Sequence, residues 1–154
     1  MTWGFPLKQT SKKTGKPIKP KGVNNARSDK LLTPFWKGAF TKTDQRCLIP
    51  VTAFAEAVGE PGRMTRTWLS VADEPVFACA GIWRESDEWG QVYSMVMTDA
   101  RDDMLEIHDR MPVILKEADH KRWLETEAED ALALCLPYDE SLVVKQTEDL
   151  WVRR

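Results

Sequence analysis

No stretch of this 154-residue chain stays apolar for long. The longest runs, such as Val76 to Ala80, fall far short of the roughly 20 residues that a membrane-crossing helix needs, so no membrane segment is expected. The N-terminus has no cationic stretch leading into an apolar core and a small-residue cleavage site, and without an export signal the cytoplasm is the expected location. Cysteine is scarce: Cys47, Cys79 and Cys135 are odd in number, have no Cys-x-x-Cys spacing and lie among apolar residues. That argues against a disulfide framework or a zinc site and for buried thiols, and no metal is expected. Internal repeats are absent, and biased composition is confined to the Lys/Pro/Gly segment from Lys8 to Gly22.

What is present is the composition of an ordinary globule, 42% hydrophobic and 30% charged. One domain over residues 1–154 is expected, long enough to bury roughly two thirds of its unfolded surface. The net charge of -2 conceals an asymmetry, because Met1 to Arg46 carries eleven Lys or Arg against Asp29 and Asp44 only, leaving the remainder acidic. A cation cluster beside Trp3, Phe35 and Trp36 is the combination that phosphate neutralisation with base stacking uses. The same Lys8–Gly22 run also reads as a long, solvated, mobile arm.

Strand-forming residues dominate the middle of the chain. Arg46–Val51, Ala53–Val58, Thr67–Ala72, Val76–Trp83 and Gln91–Thr98 are rich in Val, Ile, Phe, Trp and Tyr and are separated by Gly59, Gly62, Asp73 and Gly90. An antiparallel sheet is expected, preceded by a short N-terminal strand and closed by a strand over Leu142–Val152. Trp123, Leu124, Ala128, Ala131, Leu132, Cys135 and Leu136 fall near 3.6-residue spacing, which predicts one amphipathic helix from Ala118 to Leu136 with acids on its outer face. His120 reads as an exposed bystander on that helix.

The hexapeptide Ile107-His108-Asp109-Arg110-Met111-Pro112 concentrates chemistry where a helix must stop. Proline disfavours helix at the residue before it, so a short helix over Asp102–Ile107, capped by Thr98 or Asp99, would deliver His108 in its last turn. Taken in order, Trp3-Gly4, Asn25-Ala26-Arg27-Ser28-Asp29, Arg46-Cys47-Leu48-Ile49-Pro50 continuing to Glu56, Ala80-Gly81-Ile82-Trp83 and the His108 turn resemble the SRAP family. These are the SOS response-associated peptidases or abasic-site processing proteins, and the likeness runs from Trp3 to about Leu136.

The resemblance implies an α+β fold of mainly antiparallel, barrel-like sheet with a few flanking helices. It implies single-stranded DNA, or a junction of single and double strands, as partner, and an abasic site as substrate in the DNA damage response. In the family an N-terminal cysteine, exposed by loss of the initiator methionine, joins the ring-opened abasic sugar in a covalent thiazolidine, without a cofactor. The peptidase label then denotes self-cleavage of an N-terminal extension. By position in the motifs, the helper residues fall on Asn25, Glu56 and His108, and the DNA contacts on Trp3, Arg27, Arg46 and Arg110.

Residue chemistry supports each assignment. Glu56, among Phe54, Ala55, Ala57 and Val58, is expected to be partly desolvated, which raises a carboxyl pKa and suits it to proton exchange. Histidine is the side chain whose reference pKa lies closest to working pH, which suits His108 to donate a proton to a sugar ring oxygen. Asn25 can hold the opened sugar by hydrogen bonds, although it also suits a turn after Gly22. Arg27 either grips phosphate or pairs with Asp29. Two departures from the family stand out: Thr2 follows Met1 where the family has cysteine, and Ala57 stands where the family commonly has tryptophan. The expectation is a domain that is N-terminally shortened, either because the true start lies upstream of Met1 or because the relative is naturally short, with a roomier pocket; its rival reading is a single-stranded DNA-binding module without covalent chemistry.

Overall fold

A computed structural model describes residues 1–152. In chain order the elements are β1 (Thr2–Trp3), β2 (Phe5–Thr10), β3 (Pro17–Val23), β4 (Asn25–Arg27), α1 (Pro34–Phe40), β5 (Arg46–Val51), β6 (Phe54–Val58), β7 (Thr65–Val71), β8 (Phe77–Ser86), β9 (Gly90–Asp99), β10 (Arg110–Pro112), β11 (Ile114–Leu115), α2 (Glu117–Glu125), α3 (Ala128–Leu132) and β12 (Leu142–Leu150). The chain is α+β with mostly antiparallel pairing, as its sequence predicts. None of its helices is long and apolar enough to cross a membrane among the described residues.

Two ten-residue strands, β8 and β9, form the spine: Phe77 to Ile82 of β8 is a nearly continuous run of small and apolar buried residues, as a strand covered on both faces requires, while β9 buries Val92, Ser94 and Val96 in alternation. β5 runs antiparallel along β8, and β10 and β11 complete the sheet against β9 and β8. Gly81 lies where β5 crosses: a Cβ there would sit 2.8 Å from Cys47 Sγ and 2.7 Å from Ile49 Cδ1. On its other edge β9 accepts two short parallel strands end to end, β1 at Val92–Tyr93 and β4 at Met95–Met97. A separate three-stranded sheet, β12-β7-β6, packs with Phe54 and Leu142 against a second apolar cluster around Phe77, Cys79 and Met111.

Four local expectations are corrected. Lys8–Gly22 is not a mobile loop but most of a β-hairpin, β2 with β3, in which Phe5 pairs with Val23 and Thr10 with Pro17. Pro17 and Pro20 are tolerated because a two-stranded ribbon leaves outward-facing edges where no N–H is needed. Phe35 and Trp36 belong to the core rather than to a stacking surface: they pack on Phe5, with ring centroids 6.2 and 5.0 Å away, from the helix α1 that begins at Pro34. The single helix over Ala118–Leu136 is two, because the chain turns extended at Thr126, whose carbonyl accepts a hydrogen bond from Arg46. The segment before His108 is one tight 3-10 turn at Asp102–Met104 with Arg101 at its N-cap, while Thr98 Oγ1 donates to Cys135 O instead of capping.

Candidate functional site

Asn25 and Glu56 reach the same cavity from distant parts of the chain. β4 lies parallel to β9 with Asn25 opposite Met95, and its alternation turns Asn25 and Arg27 outward while Ala26 is buried. β6 pairs with β7 so that Glu56 lies across from Thr67. Between them is a cavity of about 470 Å³ floored by Ile49, Val51, Met95, Met97 and Pro112. Burial in this apolar setting pushes the Glu56 carboxyl above its ordinary range; a charged His108 opposes that rise and Asp109 adds to it.

The mouth of the cavity is aromatic. Trp3, 49% exposed, stacks nearly parallel on Tyr93 with centroids 6.5 Å apart, and its Nε1 donates to Asn24 O at 3.1 Å. Trp68 and Trp151, both more than a third exposed, line the same cavity, together with Arg66. Arg66 Nη2 donates to Trp151 O at 3.2 Å, and Trp151 N donates to Met64 O at 2.8 Å, so β7 holds the segment after β12 in place.

His108 does not line the cavity wall, but it lies near enough for its charge to act on Glu56. Its backbone N–H donates to Met104 O at 2.9 Å, closing the turn that positions the ring. Its Nδ1 accepts from the Arg110 N–H at 3.0 Å and lies 3.1 Å from Asp109 Oδ1. The Arg110 carbonyl oxygen also lies 3.2 Å from Nδ1, so that nitrogen has an N–H to accept from when bare and two oxygens to donate to when protonated.

The arginines divide. Arg27 is forked onto Asp29 at 2.8 and 2.7 Å, and Arg110 lies 3.7 Å from Asp109 while keeping a third of its side chain exposed. Arg46 is corrected outright: at 3% exposure it lies over Trp123, 5.9 Å from the ring centroid, and is not offered to a phosphate. His120 is not an exposed bystander either, being half-buried with Nε2 3.2 Å from Leu115 O. The thiols are removed from the cavity and raised by burial, Cys47 to about 11 and Cys79 and Cys135 to about 12, so none is a nucleophile near neutrality. Sequence reasoning missed Arg66, Trp68, Tyr93 and Trp151. The alternation Arg66-Thr67-Trp68-Leu69, with Thr67 and Leu69 buried, was the available signal for the first two.

The model of the SOS response associated peptidase (SRAP) family matches residues 1–150. The chain belongs to the SRAP family. It is 31% identical over 125 residues to the abasic site processing protein YoqW of Bacillus subtilis (strain 168), covering 75% of this chain and 54% of that one. Against YobE of the same organism the identity is 32%, over 75% of this chain and 56% of that one. The chain thus spans about half the length of these SRAP relatives. A crystal structure from Bordetella bronchiseptica superposes with a TM-score of 0.76 at 28% identity, covering 94% of this chain and 74% of that one. The family match over residues 1–150 takes in the sheets and both helices that follow β11.

Proposed function

We propose that this SRAP chain binds single-stranded DNA, or a junction of single and double strands, at an abasic site and opens the abasic sugar. The observation that carries the proposal is a lone desolvated carboxyl, Glu56, in a cavity whose lining includes the exposed indoles of Trp3, Trp68 and Trp151. A missing base leaves room in the strand for Asn25 and Glu56 to approach the sugar, while Trp3 and Trp68 offer stacking faces to the flanking bases.

In the ring-closed sugar, C1′ bears a hydroxyl and is bonded to the ring oxygen. Glu56 takes the hydroxyl proton, the C1′ carbonyl forms as the bond to the ring oxygen breaks, and protonated His108 gives that oxygen its proton. Charge and atoms balance, and the product is the aldehyde. Asn25 holds the opened sugar by hydrogen bonds, and Arg27 and Arg110 face the phosphates. In the complete family chemistry a terminal cysteine then captures the aldehyde as a thiazolidine; Cys47, half-buried, and Cys79 and Cys135, buried, are all high in pKa and do not supply that step.

The test is the rate at which methoxyamine captures the aldehyde of a single-abasic oligonucleotide, alongside a denaturing gel for adducts with and without borohydride. Bound protein is expected to accelerate capture, and Glu56→Gln to lose the acceleration at unchanged affinity. Equal acceleration by that variant removes Glu56 from the mechanism. The raised pKa values of these thiols favour a second reading, a non-covalent module that shields the lesion. It predicts slower capture by bound protein whatever stands at position 56.

A further inference from the structure

The β2–β3 hairpin is the most strongly charged feature of the molecule. It carries Lys8, Lys12, Lys13, Lys16, Lys19 and Lys21, and no acid precedes Asp29 in the chain. Among the described residues only Lys8 of these has an acidic partner, Glu88 at 3.8 Å. The ribbon nevertheless holds a definite shape. At its tip Ser11 N donates to Lys16 O and Gly15 N to Ser11 O, each at 2.9 Å, with Gly15 at φ 67° taking the left-handed conformation that closes the turn.

Its root is as firmly set. Phe5 is fully buried and covered by the Arg84 guanidinium, 4.5 Å from the ring centroid, and Ser94 Oγ donates to Val23 O at 2.8 Å. Gly4, at φ 109°, has no room for a side chain, since a Cβ would lie 2.5 Å from Asn24 Oδ1. Both stems issue from the cavity: Trp3 precedes the hairpin and Asn25 follows it. From Leu7 to Lys21 nearly every residue is exposed, although a two-stranded ribbon gains little by itself from standing in water.

We infer that this hairpin is a preformed arm that grips the phosphates of the DNA flanking the cavity. The inference rests on the DNA-binding reading proposed above and adds where along the DNA the protein holds. A six-residue strand at about 3.4 Å per residue reaches roughly 20 Å, which spans about six stacked nucleotides. Order at the tip lowers the entropy cost of placing the ammonium groups, and a two-stranded ribbon also fits the major groove of a duplex. The shared chemistry is a run of phosphates, whether the flank is single-stranded or paired.

The experiment compares the full chain with Lys12→Gln/Lys13→Gln/Lys16→Gln, whose side chains take no part in the cavity. Equilibrium binding is measured across a salt series on abasic oligonucleotides with about two flanking nucleotides, about twelve single-stranded ones, or about twelve paired ones. On a long flank the variant is expected to lose about 2 from the slope of log affinity against log salt, roughly 0.7 for each phosphate contact to a single strand. On the minimal oligonucleotide it should bind as the parent does. A loss confined to the single-stranded or to the paired flank supports the arm and names its substrate. A loss equal on minimal and long substrates, or none on any, overturns it. If the parent shows no preference for abasic over intact DNA while the variant still loses flank-dependent affinity, the abasic-site reading fails and the arm stands. No DNA binding by the parent overturns both.

Discussion

Two cavities among the described residues invite comparison because the proposed site is the smaller of them. The larger, about 710 Å³, is lined by Asp73, Glu74, Glu117 and His120, and the smaller, about 470 Å³, holds Asn25 and Glu56. Three carboxylates in the larger repel a polyanion, and its histidine is held by the Leu115 carbonyl. In the smaller a single acid stands among methionines and alanines, which raises its pKa and frees it to move a proton. Two histidines a dozen residues apart thus differ in kind: His108 sits in a turn with a partner for each protonation state, and His120 braces a helix. Isolation of a charge in apolar surroundings distinguishes the candidate site, together with the indoles that can receive bases.

Exchanging residues between the two cavities tests this contrast most sharply. Glu56→Gln should reduce aldehyde release from an abasic oligonucleotide by about 10²-fold or more, the usual contribution of a positioned acid or base, measured as methoxyamine capture. Glu74→Gln in the larger cavity should leave the rate unchanged. Next in size, Trp68→Ala should weaken binding to the abasic strand by about 1–3 kcal/mol, the typical loss of one stacked base, in a fluorescence anisotropy titration. Val76→Ala, at an exposed residue of the larger cavity, should not.

The stability effect is smaller and depends on pH. Burial raises the folded-state pKa of Glu56 above its ordinary 4.5, so the native protein keeps that proton to higher pH than the unfolded chain does. Its favourable contribution is complete below the unfolded value and is lost as pH rises through the folded one. Glu56→Gln, unable to ionise, should therefore melt higher than the parent at pH 7, with the difference closing below about pH 4 in paired thermal melts. A gain that persists at low pH would assign the effect to packing. Smallest of all, His120→Gln should cost about 1 kcal/mol of stability through its lost backbone contact and change neither binding nor rate, checked by denaturant titration beside the DNA assays.

How far the molecule could be read from its sequence follows the range of the interactions involved. β5, β6, β8 and β9 announce themselves because β-branched and aromatic residues recur between Gly59, Gly62 and Gly90, and Glu56 stood out as one acid in an apolar run. The break between α2 and α3 is set by Arg46, eighty residues away, whose guanidinium takes the Thr126 carbonyl, and no local pattern contains that. The hairpin was missed for a related reason: its prolines and lysines argue for a loop, and its anchoring at Phe5 and Val23 comes from Arg84 and Ser94. Asn25 and Glu56 were each legible, but their meeting depends on the parallel pairing of β4 with β9.

That pairing has a further consequence. β1 and β4 occupy successive stretches of one edge of β9, so everything from Gly4 to Asn24 is an excursion whose two ends return to neighbouring positions, with Trp3 Nε1 bonded to Asn24 O across the gap. Pro6 and Gly22 already lie opposite each other, so the ribbon beyond them can be shortened to a tight turn, lengthened or replaced without shifting the register that aligns Trp3 and Asn25. The fold thus provides an attachment point beside the cavity, where a longer or shorter ribbon would change the surroundings of Trp3 and Asn25 while the pairing of β1 and β4 with β9 stays as it is.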